Sequence, residues 1–335
     1  MKRIKIRDSI AVLKDSEDNY VFISTATRKI KKFQVDSLVK DIFLHLDSEP
    51  SEEELVERLS QKYSLQDIDL CLRTLESEQI IMCDFGEIPK DRFYRQRLFL
   101  DELTSSREET LKLQRKIENS KIAVFGVGGI GTWIVNGLHQ IGVGEIRISD
   151  PDIIEETNLN RQLFFDYDSI GRYKVEIVKE KLRDAKIVPF KERVDDSTDL
   201  EHIISGCNFM VNCTDSPSVE KTTRILNDYA EENKIAYCVA GGYNMHLGMI
   251  GPIIIPGVTR TFDEFLEYQK RTDPLKDLRK VRDLQQTGNI GPIAGVIANI
   301  QVMEIFKYLT GKGRINLNRF AEIDFMDFGI EWREF

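Results

Sequence analysis

The sequence predicts a doubly wound α/β domain preceded by a smaller α+β unit, and three observations predict it. Residues 121–131, Lys-Ile-Ala-Val-Phe-Gly-Val-Gly-Gly-Ile-Gly, read as a buried strand running through a glycine loop into a helix. After this stretch, short apolar strands at Glu145–Ser149, Phe209–Asn212 and 235–240 alternate with helical or polar segments, the pattern of a parallel sheet covered by helices. The residues before Phe85 run in a different order, strands first and then three helices.

In the N-terminal unit, 9–13 (Ser-Ile-Ala-Val-Leu) and 20–24 (Tyr-Val-Phe-Ile-Ser) are the strands. Leu38, Val39, Ile42, Phe43 and Leu46 lie at helical spacing. Ser51 with Glu54 forms a capping box ahead of Leu55 and Leu59. Ser64 and Asp67 open a third helix carrying Ile68, Leu72 and Leu75, which ends near Gln79; Ile80 and Ile81 then suggest a short strand. Residues 86–118 are charged and aromatic, with a break at Gly86-Glu-Ile-Pro89 and a polar helix over 108–117. The chain therefore divides into residues 1–88, a connector over 89–118 and a domain over 119–335. Near its end Gly291-Pro292 starts an apolar helix bearing Ile293, Val296, Ile297, Ile300 and Met303, and Gly311 stops it. No internal repeat is present.

The composition is that of a soluble globular chain, 41% hydrophobic and 31% charged. No apolar run approaches membrane-spanning length in this reading, and the basic N-terminus lacks an apolar signal core, so a cytoplasmic protein without membrane contact is expected. A net charge of −9 argues against nonspecific nucleic-acid binding and requires any anionic ligand to find a local cationic pocket. Cys71, Cys83, Cys207, Cys213 and Cys238 form no Cys-x-x-Cys pair, and the four histidines show no ligand spacing, so neither a disulfide framework nor a histidine metal site is indicated.

That pocket is sought downstream of the glycine loop. Gly126, Gly128 and Gly129 let backbone N–H groups approach an anion, and Gly131 lets the helix pack closely. Asp150 ends the second strand where such folds place a carboxylate for ribose hydroxyls. Asn158, Arg161 and Lys174 follow. A dinucleotide does not need this cationic pair, whereas a triphosphate attacked by a carboxylate does, because like charge must be offset in the transition state and on leaving pyrophosphate. Asp215, just after the strand at Phe209–Asn212, is placed to hold Mg²⁺. An NAD(P)-dependent oxidoreductase would explain the loop and Asp150 but leave Arg161, Lys174 and Asp215 without a purpose. Asp215 read blandly would cap a helix starting near Pro217, and Cys213 is a packing residue before it is a nucleophile.

Taken in order, the Gly126–Gly131 loop, Asp150, the Asn158-Leu-Asn-Arg-Gln162 run, Gly171 with Lys174, Cys213-Thr-Asp215 and the Gly291-Pro292 helix resemble the ThiF/MoeB adenylyltransferases, bacterial relatives of ubiquitin-activating enzymes, over roughly residues 90–312. The resemblance implies a Rossmann-like adenylation domain with ATP as cofactor, Asp150 on the ribose, Asn158, Arg161 and Lys174 around the phosphates, and Asp215 on Mg²⁺. Arg92-Phe-Tyr-Arg-Gln96 resembles the stretch before the family's nucleotide domain, which implies that Arg95 reaches the triphosphate of a neighbouring subunit in a homodimer. Two departures stand out. The regions after Pro256-Gly257 and at the C-terminus lack the family's Cys-x-x-Cys pairs, so zinc is not expected, and the charged stretch 262–286 lacks the cysteine of thioester-forming relatives. That stretch reads as a solvated loop or as a lid over the nucleotide. The N-terminal unit resembles the PqqD-like winged-helix domain, and the whole layout is similar to microcin C maturation-type enzymes. This implies a precursor-peptide leader bound as an added strand, and adenylation of a carboxylate on that peptide, with adenylation of a ubiquitin-like or sulfur-carrier C-terminus as the alternative.

Overall fold

A computed structural model describes residues 3–15, 19–33, 35–83, 86–274, 278, 281 and 288–335. The chain divides into two compact units, Met1–Arg115 and Lys116–Phe335.

The first unit contains strands β1 (Ile4–Ile6), β2 (Ile10–Lys14), β3 (Tyr20–Ser24) and β4 (Ile30–Phe33), helices α1 (Ser37–Leu46), α2 (Glu52–Ser60) and α3 (Leu65–Ser77), and strand β5 (Ile81–Cys83). Strands β2, β3 and β4 form an antiparallel sheet in that order, and β1 pairs with β5. The helix starts follow from side-chain capping of orphan amides. Asp36 accepts from Val39 N, Ser51 and Glu54 close a reciprocal capping box, and Ser64 accepts from Asp67 N. Ile4, Phe22, Ile42, Leu55 and Ile68 fill the core. The sequence reading missed β1 and β4. Strand β4 is an edge strand, Ile-Lys-Lys-Phe, whose lysines hide the alternation that marks a half-buried strand and at the same time discourage edge-to-edge association.

The connector does not stand apart. Its helix α4 (Tyr94–Asp101) and the start of α5 (Arg107–Glu118) belong to this unit. The buried Arg7 guanidinium donates to the Asp101 and Thr104 carbonyls at 2.6 and 2.9 Å, and Arg107 pairs with Asp101 at 2.7 Å. Removing one partner of such a buried pair leaves an uncompensated charge, so the network ties 89–115 to the strands.

The second unit is built on β6 (Lys121–Phe125), α6 (Gly129–Ile141), β7 (Glu145–Ser149), α7 (Lys174–Lys181), β8 (Ile187–Phe190), α8 (Leu200–Ile204), β9 (Phe209–Asn212), α9 (Val219–Asn233), β10 (Ala236–Val239), β11 (Tyr243–Asn244), β12 (Leu247–Ile250) and β13 (Ile253–Ile254). It ends with α10 (Phe262–Thr272), α11 (Gly291–Thr310), β14 (Arg319–Asp324) and β15 (Gly329–Glu334). The main sheet has the order β13-β10-β9-β6-β7-β8, parallel except for β13. Phe125 at the end of β6 lies opposite Ser149 of β7 and Asn212 of β9, so three strand ends open side by side.

Strand β8 was not anticipated. Pro189 lies within it, which is tolerated because β8 is a sheet edge and needs no donor on its outer side. The sequence reading also lacked the antiparallel sheet β11-β12-β14-β15 and helix α10. Thr261 and Glu264 form a capping box that starts α10, and Phe262, Phe265 and Leu266 are buried. The first part of the 262–286 stretch is therefore a packed helix, and most of 275–287, on which the lid or loop reading also fell, lies outside the described residues. Helix α11 corrects a second expectation: at 20 residues it is long and apolar enough to cross a membrane, although 67% of its apolar window is buried against the rest of the unit.

Candidate nucleotide site

The carboxyl ends of β6, β7, β9 and β10 open into a cavity of about 810 Å³, at the point where strand order reverses between β6 and β9. Ligands of open α/β sheets bind at this crevice.

The floor is the glycine loop. Gly126 has φ +85°, a conformation that L side chains rarely adopt, and a Cβ there would stand 2.9 Å from the Cys213 carbonyl oxygen. A Cβ on Gly131 would drive into the Gly126 carbonyl, so the loop folds back on the first turn of α6 only because that turn carries glycine. Helix α6 starts at Gly129 after Gly128, and no side chain caps it. Its first-turn amides are thus left to a ligand, at the positive end of the helix dipole.

Asp150 is buried beside the loop. One carboxylate oxygen accepts from Val127 N at 2.8 Å and the other from Asp152 N at 2.9 Å. Each oxygen keeps a further lone pair. Burial pushes this carboxyl above the ordinary range, opposed by the charge of Lys174 and by the two amides. Lys174, at the start of α7, is itself only 8% exposed and reaches the Asp152 carboxylate at 2.9 Å. Asn158 closes a single 3₁₀ turn, its side-chain Oδ1 accepting from Glu155 N at 3.0 Å. Arg161 donates to the Thr157 carbonyl and to Asn160 Oδ1, while Trp133 of α6 donates to the Arg161 carbonyl at 3.2 Å and ties this segment to the helix.

Asp215 lies in the β9–α9 connection and is exposed. It does not cap α9, because Ser218 does so by accepting from Lys221 N. Among the described residues no group of three His, Cys, Asp or Glu could hold a metal ion.

Gly126, Gly128, Gly129, Asp150, Asn158, Arg161, Lys174 and Asp215 all line this one cavity. Gly131 supports it from within the helix. Arg95 is not among the lining residues; it is exposed on α4 in the first unit. The sequence reading missed three contributors. Arg193 follows the unrecognised β8 and donates to Ser216 Oγ at 2.9 Å. Gln162 lines the cavity with a buried Oε1 that has no partner among the described residues. Tyr243 follows β10, and its position after a parallel strand end was the available signal.

Cys213 also lines the cavity, but burial pushes its thiol up and the Asp150 charge acts in the same direction. A neutral thiol is a poor nucleophile. Cys213→Ala is therefore expected to leave ATP binding and turnover within about threefold of the parent, measured by calorimetry and pyrophosphate exchange; a loss of turnover with ATP binding retained would restore a covalent role.

A crevice with a helix N-terminus, flanking cations and a strand-end carboxylate defines a nucleotide-binding α/β protein. The chain belongs to the ThiF family, whose pattern matches residues 93–335. It is 29% identical over 202 residues to the adenylyltransferase and sulfurtransferase UBA4 of Saccharomyces cerevisiae, a match covering 59% of this chain and 43% of that protein. It is 27% identical over 222 residues to the SAMP-activating enzyme E1 of Haloferax volcanii, covering 65% of this chain and 77% of that one. The chain thus spans less than half the length of UBA4. Among solved structures, E. coli MccB superposes with a TM-score of 0.77 at 19% identity, covering 99% of this chain and 94% of that one. PaaA gives 0.70 at 20% identity, with 98% of each chain covered. MccB has also been solved with ATP, and with AMPCPP and MccA. At these identities the structural likeness shows the fold, and it extends over the small N-terminal unit as well.

Proposed function

We propose that this chain is an ATP-dependent adenylyltransferase that activates a carboxylate on a ribosomal precursor peptide, releasing pyrophosphate and leading to peptide modification or cyclisation. The observation that carries the reading is the convergence of the α6 N-terminus, Arg161, Lys174 and Asp215 on one cavity. In the reaction a carboxylate oxygen forms a bond to the α-phosphorus as the bond to the pyrophosphate oxygen breaks. The α6 amides hold phosphate oxygens, and Asn158, Arg161 and Lys174 surround the phosphates. Asp152, 2.9 Å from Lys174, orients that ammonium. Asp150 takes the ribose through its remaining lone pairs. Asp215 fits Mg²⁺, a hard cation that typically takes one or two protein carboxylates together with phosphate oxygens and water. Mg²⁺ supplies charge neutralisation on the phosphates when bound.

Residues 1–88 serve as the PqqD-like peptide-recognition domain and 119–335 as the adenylation domain. The β2 edge of the β2-β3-β4 sheet suits a leader added as a further strand, which raises the local concentration of the reacting carboxylate. The protein acts as a cytoplasmic homodimer in which Arg95 serves the neighbouring site. Support for a peptide comes from the fold shared with MccB and from the presence of MccA in MccB structures. A second reading, adenylation of a ubiquitin-like or sulfur-carrier C-terminus, is supported by the similarity to UBA4 and the SAMP-activating enzyme.

ATP–pyrophosphate exchange by the full chain separates the two. Any short peptide found encoded beside this gene is expected to stimulate exchange at least about tenfold over the blank, and a carrier ending in Gly-Gly is not. Stimulation by the carrier alone would replace the peptide reading with the second one.

A further inference from the structure

Tyr243 occupies a position in the cavity that the roles above leave unused. It is held there by a tight hairpin: Met249 N donates to the Gly242 carbonyl at 2.9 Å, Tyr243 pairs with Gly248, and a Cβ on Gly241 would collide with the Met249 carbonyl. From β11 the phenol reaches across to the glycine loop. Its hydroxyl oxygen lies so close above Gly129, the first residue of α6, that a Cβ on Gly129 would collide with it. Arg161 lies beside the same hydroxyl: its Cδ would stand 3.8 Å from that Cβ, and its charge opposes the effect of burial on the phenol. Because a guanidinium only donates, the phenol can turn nothing but its oxygen toward Arg161, and its O–H remains available. No acceptor for that proton occurs among the described residues. Burial pushes the phenol up from its ordinary value, so it is protonated at neutral pH and remains a donor.

We propose that Tyr243 donates a hydrogen bond to a nucleotide phosphate seated on the α6 N-terminus, and that it is the positioning residue that aims Arg161 at the same phosphate. The proposal rests on the ATP reading above. It also gives Gly129 a reason beyond backbone freedom: the residue under the phenol must lack a side chain. Hydrogen bonds to charged groups are the stronger class, and one removed by a shape-conserving change is worth about tenfold in binding.

Calorimetry on the full chain with ATP and, separately, adenosine tests this. Tyr243→Phe is expected to weaken ATP about tenfold and to leave adenosine unchanged, because only the phosphates meet the hydroxyl. In an Arg161→Ala background the same change is expected to cost less, since part of its effect runs through the guanidinium. Gly129→Ala is expected to weaken ATP, and Tyr243→Phe is expected to lessen that penalty by removing the colliding oxygen. ATP affinity unchanged in Tyr243→Phe, or ATP and adenosine weakened alike, overturns the phosphate contact. An equal cost in the Arg161→Ala background overturns the positioning role. If the parent chain binds no ATP, the functional reading fails and this proposal fails with it; ATP binding by the parent separates the two cases.

Discussion

Asp215→Ala is expected to lower ATP–pyrophosphate exchange by about a hundredfold or more while leaving the thermal midpoint within about 1 °C. The first half follows from charge. Two negatively charged partners must meet in the cavity, and removing one preorganised electrostatic element typically costs two to three orders of magnitude. The second half follows from the fold, because Asp215 is exposed and α9 is capped by Ser218. Exchange and a melting curve on the same preparation check both. Retained exchange would discard the metal assignment, whereas a collapse of the midpoint would show that Asp215 holds the β9–α9 connection. The same variant tests Arg95. Mixed with Arg95→Ala subunits it is expected to regain part of the parental activity, since one interface of each mixed dimer then has an intact Arg95 facing an intact Asp215; no recovery in a verified heterodimer counts against the trans role.

The second large effect is expected at Gly131→Ala. The new methyl would enter the Gly126 carbonyl oxygen, and both colliding groups belong to a backbone fixed between β6 and α6. Neither can swing away as a surface side chain would. Overpacking of this kind costs about 1 to 3 kcal/mol, more when backbone must move, and here the relaxation displaces the amides that face the phosphates. Reduced denaturant stability together with loss of ATP binding is the expected result. Parental stability and affinity in this variant would show that the loop yields more easily than its geometry implies.

Much of this site was legible in the chain because it is local. The glycine loop, the strand before it and the helix after it are contiguous, and Asp150 and Asp215 fall at or soon after strand ends that the alternation of apolar runs already marked. Capping signals worked for the same reason, as at Ser51 with Glu54 and at Gly311, which adopts φ +66° at the end of α11. Strand β8 was hidden by Pro189, whose missing donor matters only in a strand with neighbours on both sides, and its edge position emerges only with the assembled sheet. The helix over Phe262–Thr272 was obscured by the charge of the stretch to which it belongs, although Phe265 packs against Phe320 and Phe335 in a cluster drawn from distant parts of the chain.

The sequence by itself determined the family and pointed to residues that line one crevice: the glycine loop, Asp150, Asn158, Arg161, Lys174 and Asp215. Those statements depend on residue type and on register within single strand–loop–helix units, which neighbours along the chain largely set. Tertiary structure alone decided that Lys174 is held by Asp152, that Tyr243 stands above Gly129 beside Arg161, and that Arg193 joins the cavity. Each of these contacts links segments brought together by the parallel crossovers or by the hairpin after β10. Their energies depend on separations of a few ångströms and on burial, and spacing along the chain encodes neither.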